Sequence, residues 1–159
     1  MKKDYSLPQD RPIGPSLIIG TAVRVMIPFV QLFGLYVIAH GHYSPGGGFQ
    51  GGVALGASFI LMAIAFDLKT SLRFFSIRAN ALMASSGVFL YTGTGVLCAL
   101  LGGLFLDYSA MDALLALGPV EWRSMGVFIV ELGVGLAVTA IMASLFWDLS
   151  SGGDMEKGL

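Results

Sequence analysis

Of the chain's 159 residues 55% are hydrophobic and 12% are charged, and the net charge is −1. The charged share is about half that of a soluble domain, which excludes a core wrapped in ordinary polar surface, and the near-neutral balance excludes a basic nucleic-acid footprint. Cys98 is the single cysteine, which excludes an internal disulfide and a thiolate metal cluster.

Residues 1–16 carry Asp4, Asp10 and three prolines. The acids and prolines make this segment a poor n-region for a signal peptide, the apolar stretch after it is too long for an h-region, and no Ala-x-Ala site closes it, so the first helix is expected to be retained. Four apolar runs follow, at 17–39, 49–66, 81–106 and 125–147, with no charge between His42 and Asp67 or between Arg78 and Asp107. At about 1.5 Å per residue each can cross a hydrocarbon core of about 30 Å, the second only just. Unpaired backbone groups are too costly in lipid for anything but helices and closed barrels, and the runs lack the period-two alternation of barrel strands. The predicted fold is therefore all-α: an integral membrane protein with about four transmembrane helices in one domain over 17–147, and a polar tail over 148–159.

With four spans, both termini and the loop 67–80 share a side. That side holds Lys2, Lys3, Arg11, Lys69, Arg73, Arg78 and Lys157, and the other holds only Arg123 beside Asp107, Asp112 and Glu121. The positive-inside rule then predicts cytoplasmic termini in a multi-pass plasma-membrane protein. Aromatic belts are expected from Trp122, Tyr108 and Tyr43 on the outer side and from Trp147 on the inner side.

The connection between the first two spans is the most distinctive segment. Residues 24–52 read RVMIPFVQLFGLYVIAHGHYSPGGGFQGG. Pro45 fixes φ and cannot continue a helix, and Gly46, Gly47 and Gly48 allow the backbone conformations and close approach that other residues resist. Gly48, Gly52 and Gly56 recur every fourth residue, a small-residue face on which another helix can seat. One reading is tight helix packing. The other is that the bared N-terminus of span two meets an ion or a partner's carboxylate. A phosphate loop is excluded, because no Gly-Lys-Ser/Thr follows.

This segment resembles the signature of the MnhB/MrpB family, the B-type subunits of multisubunit Mrp-type sodium/proton antiporters, in which a Gly-His-x-x-Pro-Gly-Gly-Gly-Phe-x-Gly-Gly element joins the first two spans. The matching positions are Gly41, His42, Pro45, Gly46, Gly47, Gly48, Phe49, Gly51 and Gly52. The resemblance implies an accessory subunit of a prokaryotic cation/proton antiporter, with Na+ and H+ as transported ions and no cofactor held by this chain. It also implies other membrane subunits as partners: large proton-translocating chains beside which the subunit packs and helps form the cation route. The same module occurs in redox-driven complexes such as membrane-bound hydrogenases, which is the alternative reading.

Ionisable groups inside spans are functional candidates by default. Arg24 either snorkels to the cytoplasmic interface or pairs with a carboxylate of a neighbouring subunit. Pro28, four residues on, removes the hydrogen bond to the Arg24 carbonyl, leaving either a kink or a carbonyl lining a wet cavity. Glu131, the one acid within a span, is expected about 10 Å deep from the outer end, where it passes a proton, holds a cation or hydrogen-bonds a partner. Arg24 and Glu131 enter from opposite faces and are expected to have separate partners. Gln31 is expected to hydrogen-bond within the protein. His42 lies at the outer mouth and can titrate near neutral pH; with His40 the only other histidine, no metal site is expected. Small faces at Gly95, Ala99 and Gly103 on span three and at Gly135, Thr139 and Ala143 on span four predict helix–helix contacts. No Gly-x-Ser-x-Gly, no His-Glu-x-x-His and no acid–base pair on one span points to an enzyme.

Overall fold

The computed structural model of the chain describes residues 17–41, 46–114 and 118–151. The elements are α1 (Leu17–His40), α2 (Gly48–Phe66), α3 (Leu68–Phe74), α4 (Ile77–Leu100), a 3-10 turn (Tyr108–Ala113) and α5 (Pro119–Ser151). No strand occurs among the described residues. Helices α1, α2, α4 and α5 are each long and apolar enough to cross a membrane, as the four runs predict.

The four long helices stand in a row, α1–α2–α5–α4, because α2 packs on both α1 and α5, and α5 packs on both α2 and α4. Helices packed in lipid gain little from hiding apolar surface and depend on close contact instead. Here the contacts are built on glycine. An added Cβ at Gly52 would lie 2.8 Å from the Gly135 carbonyl oxygen, and at Gly56 2.8 Å from Met142 Cβ. The Thr139 hydroxyl donates to the Gly135 carbonyl at 2.7 Å and lies 3.1 Å from the Gly52 carbonyl, tying α5 to α2. The small faces of spans two and four thus seat on each other within the chain. On its other side α2 meets α1: an added Cβ at Gly51 would sit 2.6 Å from the Gly34 carbonyl oxygen. Gln31 Nε2 donates to Ser58 Oγ at 3.2 Å across the same contact, as expected.

Span three departs from its predicted bounds. Helix α4 starts at Ile77, where the Ser76 side chain accepts from the Ala79 N–H, and it stops at Leu100. The stop is a Schellman motif: the Gly103 N–H donates to the Cys98 carbonyl and the Gly102 N–H to the Ala99 carbonyl. Gly102 takes φ 89°, which costs a residue without a side chain little. Residues 101–106 are apolar yet not helical, and they fold back on the helix. The small face predicted on this span seats no helix of this chain: Gly95 faces the Phe105 ring, Gly103 lies in the turn, and Ala99 is exposed. The contact with α5 runs through Gly87 instead, whose added Cβ would lie 2.5 Å from the Gly133 carbonyl oxygen.

The predicted aromatic belts are also corrected. Trp147 is 1% exposed and packs with Leu68 and Ala143, flanked by Phe59, Leu72, Phe75 and Phe146. This cluster anchors α3, whose Ser71 hydroxyl donates to the Phe59 carbonyl. Trp122 is buried against Cys98 and Met111. Both indoles serve the interior, and Tyr43 lies outside the described residues.

Candidate functional site

The N-terminus of α2 begins at Gly48, with Gly47 as N-cap and no side-chain cap. The first N–H groups of a helix lack intrahelical partners, and the helix dipole gives this end partial positive charge. The Glu131 side chain of α5 comes to this end. An added Cβ at Gly47 would lie 2.7 Å from Glu131 Oε1, and one at Gly41 would overlap Oε2. One at Gly48 would overlap the Glu131 carbonyl oxygen and lie 2.9 Å from its Cα. Three glycines of the connection therefore form a collar on one acid residue, and Glu131 Oε2 is shut away from solvent. The packing reading and the carboxylate reading of the hinge turn out to describe one place, and the carboxylate comes from this chain.

The collar also sets the level of Glu131 along the helices. Helix α2 has 19 residues, about 28 Å at helical rise, close to the thickness of a core of about 30 Å. Helix α5 has 33 residues, about 50 Å, and starts six residues before the predicted span. Glu131 sits level with the first turn of α2, 12 residues beyond the start of α5 at Pro119.

The remaining motif residues divide their work. Gly51 seats α1, whereas Gly52 and Gly56 seat α5. Gly46 has φ 149° and faces the Gln50 side chain. Phe49 is 64% exposed and points away from the fold. His42 and Pro45 lie outside the described residues.

Arg24 and Pro28 belong to the opposite end. The Arg24 guanidinium carbon stands 5.6 Å from the centroid of the Phe66 ring, at the last turn of α2. Gly48 and Phe66 are 18 residues apart, about 27 Å of helix, so Arg24 and Glu131 do not meet. Helix α1 continues through Pro28, which is exposed.

The family model described as the domain related to the MnhB subunit of the Na+/H+ antiporter matches residues 18–144. The chain belongs to the MnhB family. It is similar to the B-type subunit of the Na(+)/H(+) antiporter of Bacillus subtilis, with 33% identity over 81% of this chain and 89% of that protein. It is similar as well to the "Putative antiporter subunit mnhB2" of Staphylococcus saprophyticus, with 31% identity over 86% of this chain and 95% of the relative. The protein of the same name in Staphylococcus aureus strain MRSA252 is 30% identical over the same shares.

Several residues that shape this MnhB site carry no sequence signal of their own. Tyr108 of the 3-10 turn lies against Gly126 of α5, where an added Cβ would strike its ring. Burial pushes the Tyr108 phenol above its ordinary value, and Cys98, Tyr91 and Glu131 add smaller pushes the same way. The Gly34–Gly51 and Gly87–Gly133 approaches join MnhB helices whose glycines are far apart in the sequence. Each such glycine looks like any other in an apolar run, and only the pairing gives it meaning.

Proposed function

We propose that this chain is the accessory MnhB-type subunit of a multisubunit sodium/proton antiporter, seated beside large proton-translocating subunits, with Glu131 contributing to the cation route. The observation that carries the reading is the Glu131 carboxylate held in the glycine collar at the N-terminus of α2. The name of the Bacillus subtilis relative supports the complex to which the reading assigns it.

A carboxylate can take up a proton or pair briefly with a monovalent cation. The site therefore suits an ion or proton in passage. Between passages the positive end of α2 stabilises the carboxylate, so no counter-ion has to stay. Na+ and H+ are cargo in this reading, and no cofactor is assigned to the chain. Seven basic residues against one support cytoplasmic termini in the plasma membrane. The exposed apolar side chains of α1, among them Phe29, Leu32, Phe33 and Tyr36, and the outward Phe49 offer the surface for lipid and neighbouring subunits.

Glu131→Gln keeps the size of the side chain and removes its ability to carry charge. In a fully assembled complex, exchange measured in everted membrane vesicles should fall by roughly tenfold or more, which is about 1.4 kcal/mol or more on the barrier. Undiminished exchange by such a complex would end the role of Glu131. Ion exchange by the purified chain alone in liposomes would end the accessory-subunit reading.

A further inference from the structure

At the opposite end of the fold a cavity of 240 Å³ opens between α1, α2 and α3, lined by Arg24, Ile27, Met62, Phe66, Thr70 and Phe74. Its chemistry is divided. Ile27, Met62, Phe66 and Phe74 make an apolar wall, and Arg24 and Thr70 supply one cation and one hydroxyl. Arg24 is exposed, and its contact within the fold is the Phe66 ring; it makes no ion pair among the described residues. On α3, Lys69 and Arg73 are exposed one turn apart, next to the cavity-lining pair Thr70 and Phe74. Among the described residues the exposed acids at this end are Asp67 at the α2–α3 joint and Asp148 beside Trp147, and Arg24, Lys69, Arg73 and Arg78 outnumber them.

We infer that this cavity binds an anionic phospholipid of the adjoining leaflet, its phosphate at Arg24 and Thr70 and its upper acyl chain on Ile27, Met62, Phe66 and Phe74. A guanidinium matches phosphate oxygens in paired geometry better than an ammonium does. Basic clusters at the ends of membrane helices attract anionic headgroups. A partner's carboxylate would answer Arg24 but leave the apolar wall and the two α3 cations without a match. Free phosphate would likewise leave the wall bare. A lipid that carries both a phosphate and a hydrocarbon chain satisfies both halves, and the bilayer supplies it at this depth. The inference stands apart from the antiporter reading, because it concerns the other end of α2.

A photo-crosslinking phenylalanine analogue placed at Phe74, which is 74% exposed, tests this in native membranes of cells expressing the whole complex. The same probe at Phe29, 68% exposed on α1 and outside the cavity, is the comparison position. Mass spectrometry of the adducts should show anionic phospholipids such as phosphatidylglycerol or cardiolipin enriched several-fold at position 74 over position 29. Arg24→Gln should abolish the enrichment, and Arg24→Lys should keep part of it. Adducts at position 74 with another polypeptide would overturn the inference in favour of a protein partner. A lipid composition equal to that at position 29 would overturn it as well. That comparison needs no Arg24 variant, so it decides the matter even if Arg24→Gln does not fold.

Discussion

The two ends of α2 hold charge in opposite ways. At the Gly48 end the chain closes on its own acid: the collar leaves no room for a single carbon beside Glu131. At the Phe66 end the cation is left open, with Arg24 leaning on a ring above a cavity. The first end gets its precision at Gly48 from backbone approaching backbone, which no rotamer change can relieve, while Gly41 and Gly47 close on the carboxylate itself. The second is built from side chains that can rearrange around whatever enters. One end is suited to hold a fixed geometry while an ion passes, and the other to accept a ligand of loose shape.

The contrast breaks most easily at the glycines. Gly48→Leu should prevent recovery of the assembled complex by size-exclusion chromatography, and even Gly48→Ala should cost about 3 kcal/mol or more, because the new carbon overlaps the Glu131 carbonyl. Gly20→Ala, near the Phe66 end, is the matched control. Its added carbon would meet only Phe66 Cε1 at 3.6 Å, an ordinary contact, so assembly should be unchanged. Equal behaviour of the two alanine variants would remove the distinction. Trp147→Ala probes what anchors the open end: emptying this fully buried site should cost about 3–5 kcal/mol in thermal or denaturant unfolding. It should release α3 while leaving the Glu131 collar intact. The smallest effect concerns Tyr108, whose phenol is held above its ordinary pKa mainly by burial. Because the folded state keeps this proton longer than the unfolded chain does, stability is full below about pH 10 and falls as pH rises past it. Melting temperatures taken from about pH 9 to about pH 11 should show that decline, and Tyr108→Phe should flatten it.

Much of the row of helices can be read from apolar runs and charge gaps. The first two spans are placed to within a residue at each end because Pro45 and the glycines punctuate them. Span three is misplaced because Leu101, Leu104, Phe105 and Leu106 are as apolar as the helix before them. The stop lies in Gly102 and Gly103, whose motif is visible only when a capping pattern is weighed above hydropathy. The short helix α3 escapes notice for a similar reason: Leu68, Ser71 and Leu72 carry its inward face, and three positions do not stand out between two long spans. Tryptophans near the ends of runs suggest interfacial belts, and nothing local reveals that Trp147 turns inward onto α3. The collar is half legible. Its glycines are plain in the sequence, but its occupant is 83 residues beyond Gly48, and no local pattern joins them.

The turned-back segment after α4 gives the protein a gauge of its own. Cys98 has no accessible surface and lies beneath Met111 and Trp122. A thiol in that position reacts only when its cover lifts and a thiolate can form. A permeant maleimide should therefore label the resting protein slowly and speed up whenever the cover swings away. Gly102→Val, which strains the reversal at φ 89°, should accelerate labelling without any engineered cysteine. The same measurement during ion exchange would tell whether this flap moves with each turnover or stays shut throughout.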